Sequence, residues 1–141
     1  ICSDDDEVTR EYRSRAKHLL KDAFSCADSV PHEHMLSHIS KLDILVIPSL
    51  DEGFPNVLLE SMYAGTPVIA SKVGALSDVI VNEYNGILIN PADIESLNRA
   101  IQYLFENQSL LNSIANNAYN TAQDYLDKYE LQSWISIYHS I

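Results

Sequence analysis

An α/β domain built on a parallel sheet is the fold class this sequence predicts. Three short apolar runs, "DILVIPS", "TPVIAS" and "NGILIN", lack the polar alternation of a half-exposed strand, as expected for parallel strands covered on both faces. The intervals between them carry helical spacing, and strand-helix alternation is how a parallel sheet is connected. Length and balance agree: 141 residues, 46% hydrophobic and 21% charged, suit one globular core. No internal repeat, low-complexity tract or linker divides the chain, so a single domain is expected.

The elements follow in order. Ile1, Cys2 and Ser3 read as the last residues of a strand. Val8, Tyr12, Ala16, Leu19 and Leu20 recur at helical spacing and predict a helix over about residues 6–20, with Asp4 and Glu7 resembling a capping box. The alternation at Phe24–Cys26 predicts a short strand, followed by a loop. A helix over about 33–40 is expected to bury Met35, Leu36 and Ile39. "DILVIPS" then ends a strand in Pro48, and Ser49 to Phe54 form a loop. Pro55 occupies a first helical position, where its missing N–H costs nothing. That helix runs to about residue 64 and stops at Gly65, with Pro67 just beyond. After the strands "TPVIAS" and "NGILIN" the tail is helical. One helix is marked by Ile94, Leu97, Ile101, Leu104 and Phe105, and a second by Leu110, Leu111, Ile114, Ala115, Ala118 and Ala122. Leu131, Trp134, Ile135 and Tyr138 mark a third.

Charge narrows the function. A net charge of -11 with nine Lys and Arg opposes nonspecific nucleic-acid binding and attachment to anionic membranes, both of which need clustered cations. No segment approaches about eighteen unbroken apolar residues, so no transmembrane segment is expected. No signal peptide opens the chain, and the cytoplasm is the expected location. Cys2 and Cys26 lack metal-ligand spacing and read as reduced core residues.

The chemistry concentrates in "PSLDEGFPNVLLESMYAGTPVIAS", where Glu52 and Glu60 stand eight positions apart around Gly53, Phe54 and Pro55. Ligands of open α/β sheets bind at the carboxyl ends of strands, and free amides at a helix N-terminus attract phosphate. The amides of Asn56 and Val57 are the candidates. Glu60 lies one turn inside the helix on the face of Asn56, with Glu52 in the loop before it, so both carboxylates can approach one ligand at different points along its length. A phosphate flanked by hydroxyl-rich groups fits.

Plainer readings stand beside these. Glu52 and Glu60 can be a loop charge and an exposed helix charge, the usual fate of glutamate. Nothing places a scissile bond between them as in a hydrolase pair. Asp4 to Asp6 has a spacing used elsewhere for metal-bound nucleotide sugars, but capping is the simpler role at a strand-helix junction. His34 and His38, four apart, lack a third ligand and read as surface histidines. Asn107 to Ser109 is a glycosylation sequon without meaning in the cytoplasm.

Residues 48–90, "PSLDEGFPNVLLESMYAGTPVIASKVGALSDVIVNEYNGILIN", closely resemble the carboxyl-terminal domain of family 4 glycosyltransferases, and the similarity extends over about residues 30–105. It centres on a Glu, seven residues, Glu pattern at Glu52 and Glu60. Pro48-Ser49, Gly65, Pro67-Val68, Gly74 and Asn85-Gly86 support it. Ala75 replaces a frequent second glycine, Asp78 a usual Glu, and Asp28 falls near a common glycine of the base-recognition loop.

The resemblance implies a Rossmann-like parallel sheet, the carboxyl-terminal half of a retaining GT-B enzyme with its first strand-helix unit missing. The donor would be a nucleotide-diphosphate sugar. By the same resemblance Glu52 contacts the donor hexose and is the catalytic candidate, Glu60 takes the ribose hydroxyls, and the amides of Asn56 and Val57 hold the diphosphate. Gly53 and Phe54 shape the sugar pocket. No cofactor or metal is expected, and the helix around Trp134 and Tyr138 resembles a segment that packs back toward an amino-terminal, acceptor-binding domain. That domain, and the first strand-helix unit of this one with its basic pair gripping phosphate, are absent from this chain, which therefore reads as a fragment whose "DILVIPS" strand exposes an apolar edge. Surface-polysaccharide assembly is a common setting for such enzymes. A noncatalytic nucleotide-sugar-binding module of the same fold is the alternative, and a GT-B epimerase ranks third.

Overall fold

The structure, a computed structural model, describes residues 7–26, 30–53 and 56–128. Two compact units divide the chain, Ile1–His34 and Met35–Ile141. In the first, helix α1 (Glu7–Leu20) matches the predicted span and leads into a single 3-10 turn at Lys21–Ala23. Helix α1 buries none of its residues; Val8, Tyr12, Leu19 and Leu20 are all exposed. The strand expected at Phe24–Cys26 is absent. Phe24 is extended, at φ -101° and ψ 122°, but a strand exists only through a hydrogen-bonded neighbour, and no described residue pairs with it. Cys26 is exposed, not a core residue as expected. Cys2, Asp4, Asp6 and Asp28 lie outside the described residues, as do Trp134 and Tyr138 of the third tail helix.

The second unit contains the sheet. Strands β1 (Leu45–Ile47), β2 (Val68–Ser71) and β3 (Ile87–Ile89) are parallel in the order β1-β2-β3. Val46 pairs with Ile69, and Ala70 with Leu88. Four helices of this unit follow in order: α3 (Asn56–Tyr63), α4 (Gly74–Val79), α5 (Ile94–Glu106) and α6 (Gln108–Lys128). Helix α2 (His32–Ile39) precedes the sheet and buries only Ile39; Met35 and Leu36 are half-buried.

The apolar runs were read as strands covered on both faces, and the sheet divides its side chains accordingly. Val68 and Ala70 of β2 face a cluster built with Leu58, Leu59 and Met62 of α3 and Ala118 and Ala122 of α6. Ile69, at the opposite parity, joins Ile87, Ile89, Ala100, Leu104 and Ile114 on the other face. All four residues of β2 are buried, whereas β1 is half-buried and carries one unpaired edge among the described residues. That difference is what a central strand and an edge strand should show.

Local chemistry ends and starts the helices. Helix α3 closes in a Schellman motif: Gly65, at φ +71°, donates its N–H to Met62 O at 3.1 Å, and the Thr66 N–H reaches Ser61 O at 2.9 Å. The Thr66 hydroxyl then donates to Ile39 O at 2.9 Å, tying the end of α2 to the approach of β2. Asn85, 2% exposed, donates to Val79 O and to the Thr121 hydroxyl and accepts from the Val81 N–H, so the turn before β3 is locked to α6.

Candidate functional site at the carboxyl edge of the sheet

Chain direction decides where polar groups gather. Because all three strands are parallel, every βα turn emerges at one edge, and the loop after β1 carries Ser49, Asp51, Glu52 and Gly53 there. Glu52 is half-buried, and its carboxylate accepts the Ser49 hydroxyl at 2.8 Å. A carboxylate held by a hydroxyl three residues back keeps one orientation at low entropic cost. No role was expected for Ser49 beyond its place in the Pro48-Ser49 pair.

Glu60 is the stronger departure from ordinary behaviour. It sits in α3 within a run, Leu58 to Met62, in which every residue is buried, and it is itself only 7% exposed. The plain reading of an exposed helix charge is thereby overturned. A carboxylate is expensive to remove from water unless it is paired, and buried glutamates are uncommon. The helix buries Glu60 because α3 is wedged between the sheet and α6, with Tyr63 tilted against Tyr119 at 5.8 Å between ring centroids.

The remaining expected residues divide by exposure. Asn56 opens α3 and is exposed, while the Val57 side chain packs on the core and leaves its amide as the group able to face a ligand. These two amides belong to the first turn, whose N–H groups have no partner inside the helix. Gly53 is exposed, with open space where a side chain would stand. Phe54 and Pro55 lie outside the described residues. Ser49, Glu52 and the start of α3 therefore share one βα junction, and Glu60 lies one turn further along the helix.

Other candidates do not join them. His34 and His38 are exposed, as the surface reading expects, and no group of three His, Cys, Asp or Glu able to hold a metal occurs among the described residues. Sequence reasoning gave no role to Ser71, whose buried hydroxyl at the end of β2 has no hydrogen-bond partner among the described residues. It lines a cavity of about 80 Å³ with Pro48, Ile89 and Asp93.

A parallel sheet clad by helices on both faces, with an acidic βα junction at its carboxyl edge, is the architecture of glycosyltransferase domains of GT-B type. Sucrose-phosphate synthase from Thermosynechococcus elongatus matches 99% of this chain at a TM-score of 0.80 with 26% identity, the match covering 36% of that protein. The chain belongs to the glycosyl transferases group 1 family, whose pattern matches residues 1–121. The carboxyl-terminal domain of the group 1 glycosyl transferase LpcC from Francisella tularensis is 27% identical, with a TM-score of 0.76 over 87% of this chain and 64% of that one. HepE of Anabaena, solved in complex with UDP, is 25% identical, with a TM-score of 0.62 over 70% of this chain and 29% of that one. Three curated relatives at 30 to 39% identity are matched over only 14 to 24% of their own length. Among the described residues no helix is long and apolar enough to cross a membrane.

Proposed function

We propose that this chain is the donor-binding, carboxyl-terminal domain of a two-domain retaining glycosyltransferase of family 4, transferring a hexose from a nucleotide-diphosphate sugar to a hydroxyl acceptor. The single observation that carries the reading is the pair of carboxylates at one βα junction: Glu52 braced by Ser49, and Glu60 buried in α3. The likeness to a carboxyl-terminal group 1 domain supports the position in the parent protein, and the UDP bound by HepE supports the donor class. Assembly of a surface polysaccharide is the setting the reading favours.

In this mechanism the first-turn amides of Asn56 and Val57 and the positive end of α3 receive the diphosphate and stabilise it as it departs. Glu60 accepts the ribose hydroxyls. Glu52 accepts hydroxyls of the hexose and orients it so that the acceptor attacks on the face the diphosphate leaves. Gly53 and Phe54 shape the sugar pocket. The acceptor is held by a domain outside this chain, so the chain alone is not expected to transfer sugar. No divalent metal takes part.

The test uses the full-length protein and separates binding from turnover. Glu60→Ala is expected to weaken free nucleotide and nucleotide sugar alike by about 1 to 3 kcal/mol, the cost of losing a charged hydrogen bond. Glu52→Ala is expected to depress kcat more than nucleotide affinity. A chelator should leave the wild-type rate unchanged. Equal nucleotide affinity in wild type and Glu60→Ala would remove the ribose role, and a chelator-sensitive rate restored by manganese would bring back Asp4 and Asp6 as ligands.

A further inference from the structure

The loop that carries Glu52 is short of internal structure. Its sequence offers one side-chain tie, the Ser49 hydroxyl on the Glu52 carboxylate at 2.8 Å. A second restraint comes from a different part of the chain. Gly74, the first residue of α4, has φ +45°, and a Cβ built on it lands on the carbonyl oxygen of Glu52. The Glu52 carbonyl carbon would lie 3.1 Å and its amide nitrogen 3.7 Å from that Cβ. All three atoms are backbone, so no flexible side-chain end can swing aside.

The other glycines show how particular this is. Gly53 and Gly65 have nothing within 4 Å of such a Cβ, and at Gly86 the nearest atom is a methyl of Ile80 at 3.0 Å. The turn that leads into Gly74 is itself anchored. The Lys72 N–H donates to Ile89 O of β3 at 2.8 Å, the Val73 N–H to Ser71 O at 2.9 Å, and Leu76 beyond it is fully buried.

We infer that Gly74 is a positioning residue for Glu52: the start of α4 is the seat on which the backbone of Glu52 rests, and its lack of a side chain sets where the Glu52 carboxylate stands. The inference rests on the role proposed above for Glu52. Strand β3 holds Lys72, the turn leads into Gly74, and Gly74 admits the Glu52 carbonyl at a distance no other residue allows. Any side chain at position 74 pushes the Glu52 backbone outward and breaks its register with Ser49. Glu60 and the first turn of α3 take no part in this contact, so turnover should change without nucleotide affinity.

The experiment is a double-mutant cycle in the full-length protein, measuring kcat at saturating donor and the Kd of free nucleotide. Gly74→Ala is expected to lower kcat by roughly tenfold or more while the Kd stays within about twofold, the split that marks an interaction acting on turnover. In the Glu52→Ala background, adding Gly74→Ala should lower kcat by less than about twofold, because the residue acts through Glu52. Gly65→Ala serves as the control. Its φ of +71° imposes the same kind of backbone strain with open space around the new methyl, so it should lower Tm and leave kcat within about twofold. A folded Gly74→Ala protein with wild-type kcat, or a loss that multiplies in full with that of Glu52→Ala, overturns the inference. If Gly74→Ala does not fold, Val73→Gly loosens the same turn without adding an atom. It should cost about threefold in kcat, absent from the Glu52→Ala background, and an unchanged kcat overturns the inference. Should Glu52→Ala itself retain full kcat, the functional reading and this inference fall together. Failure at Gly74 with Glu52 behaving as expected refutes this inference alone.

Discussion

Helices α3 and α5 invite comparison, because both leave the carboxyl edge of the same sheet and both anchor in its core, yet their N-termini are treated in opposite ways. Helix α5 is closed by its own carboxylate: Asp93 accepts the Ser96 N–H at 2.9 Å, and Glu95 adds a second negative charge to the first turn. Helix α3 has no acidic residue in its first turn, and the residue before it in sequence is Pro55, whose ring offers no oxygen to cap an amide. Each helix N-terminus carries roughly half a positive charge. At α5 the protein neutralises that charge for itself. At α3 no residue of the first turn does so, and Glu52 stands in the loop before it. The difference teaches that two similar turns of one sheet can start their helices differently, one closed by an acidic cap and one with no acidic residue in its first turn.

If the helices are equal as anchors and unequal only at their starts, truncating either in the core should cost the same. Leu58 in α3 and Leu104 in α5 are both fully buried. Leu58→Ala and Leu104→Ala are each expected to destabilise by about 2 to 5 kcal/mol, read by urea unfolding. A clear imbalance between them would break the comparison at its base.

A smaller effect should appear when α3 is made to resemble α5. Asn56→Asp places a carboxylate at the open N-terminus and is expected to weaken nucleoside diphosphate binding by about 1 kcal/mol, while a nucleoside lacking phosphate binds as before. Titration calorimetry with both ligands would distinguish the outcomes. An equal loss for both ligands would mean that the phosphate does not sit at this turn.

The smallest effect belongs to α5. The Ser96 amide beside Asp93 holds its carboxyl below the usual carboxylate range. A group whose pKa is depressed on folding contributes stability that is fully present above its unfolded value. That contribution is lost as pH falls through the folded value. Asp93→Asn keeps an oxygen at the cap and should flatten this acid-side loss, leaving nucleotide affinity unchanged. Thermal unfolding from neutral to acid pH in both proteins checks it, and a parallel decline in the two would assign the pH dependence elsewhere.

Much of this was legible in the sequence, for a physical reason that the exceptions make plain. The helices α1, α3, α5 and α6 and the strands β1 to β3 were expected within a few residues of where they stand, because hydrophobic spacing and the Gly65 stop are local properties. Phe24–Cys26 failed as a strand, since pairing requires a neighbour that no local pattern supplies. Cys26 failed as a core residue for a related reason: a small apolar side chain is buried only if other elements close over it.

By itself the sequence determined the order of elements, the eight-residue spacing of Glu52 and Glu60, and the Pro55-Asn56 start of α3, with no acidic residue in its first turn. These depend on residues near one another in the chain, whose preferences act before any fold exists. Only the tertiary structure decided that Glu60 is buried and that the Glu52 backbone rests on Gly74. Each depends on surfaces brought together from distant segments by burial of the two core clusters. Close packing resolves such contacts to fractions of an ångström, a scale on which spacing along the chain carries no information.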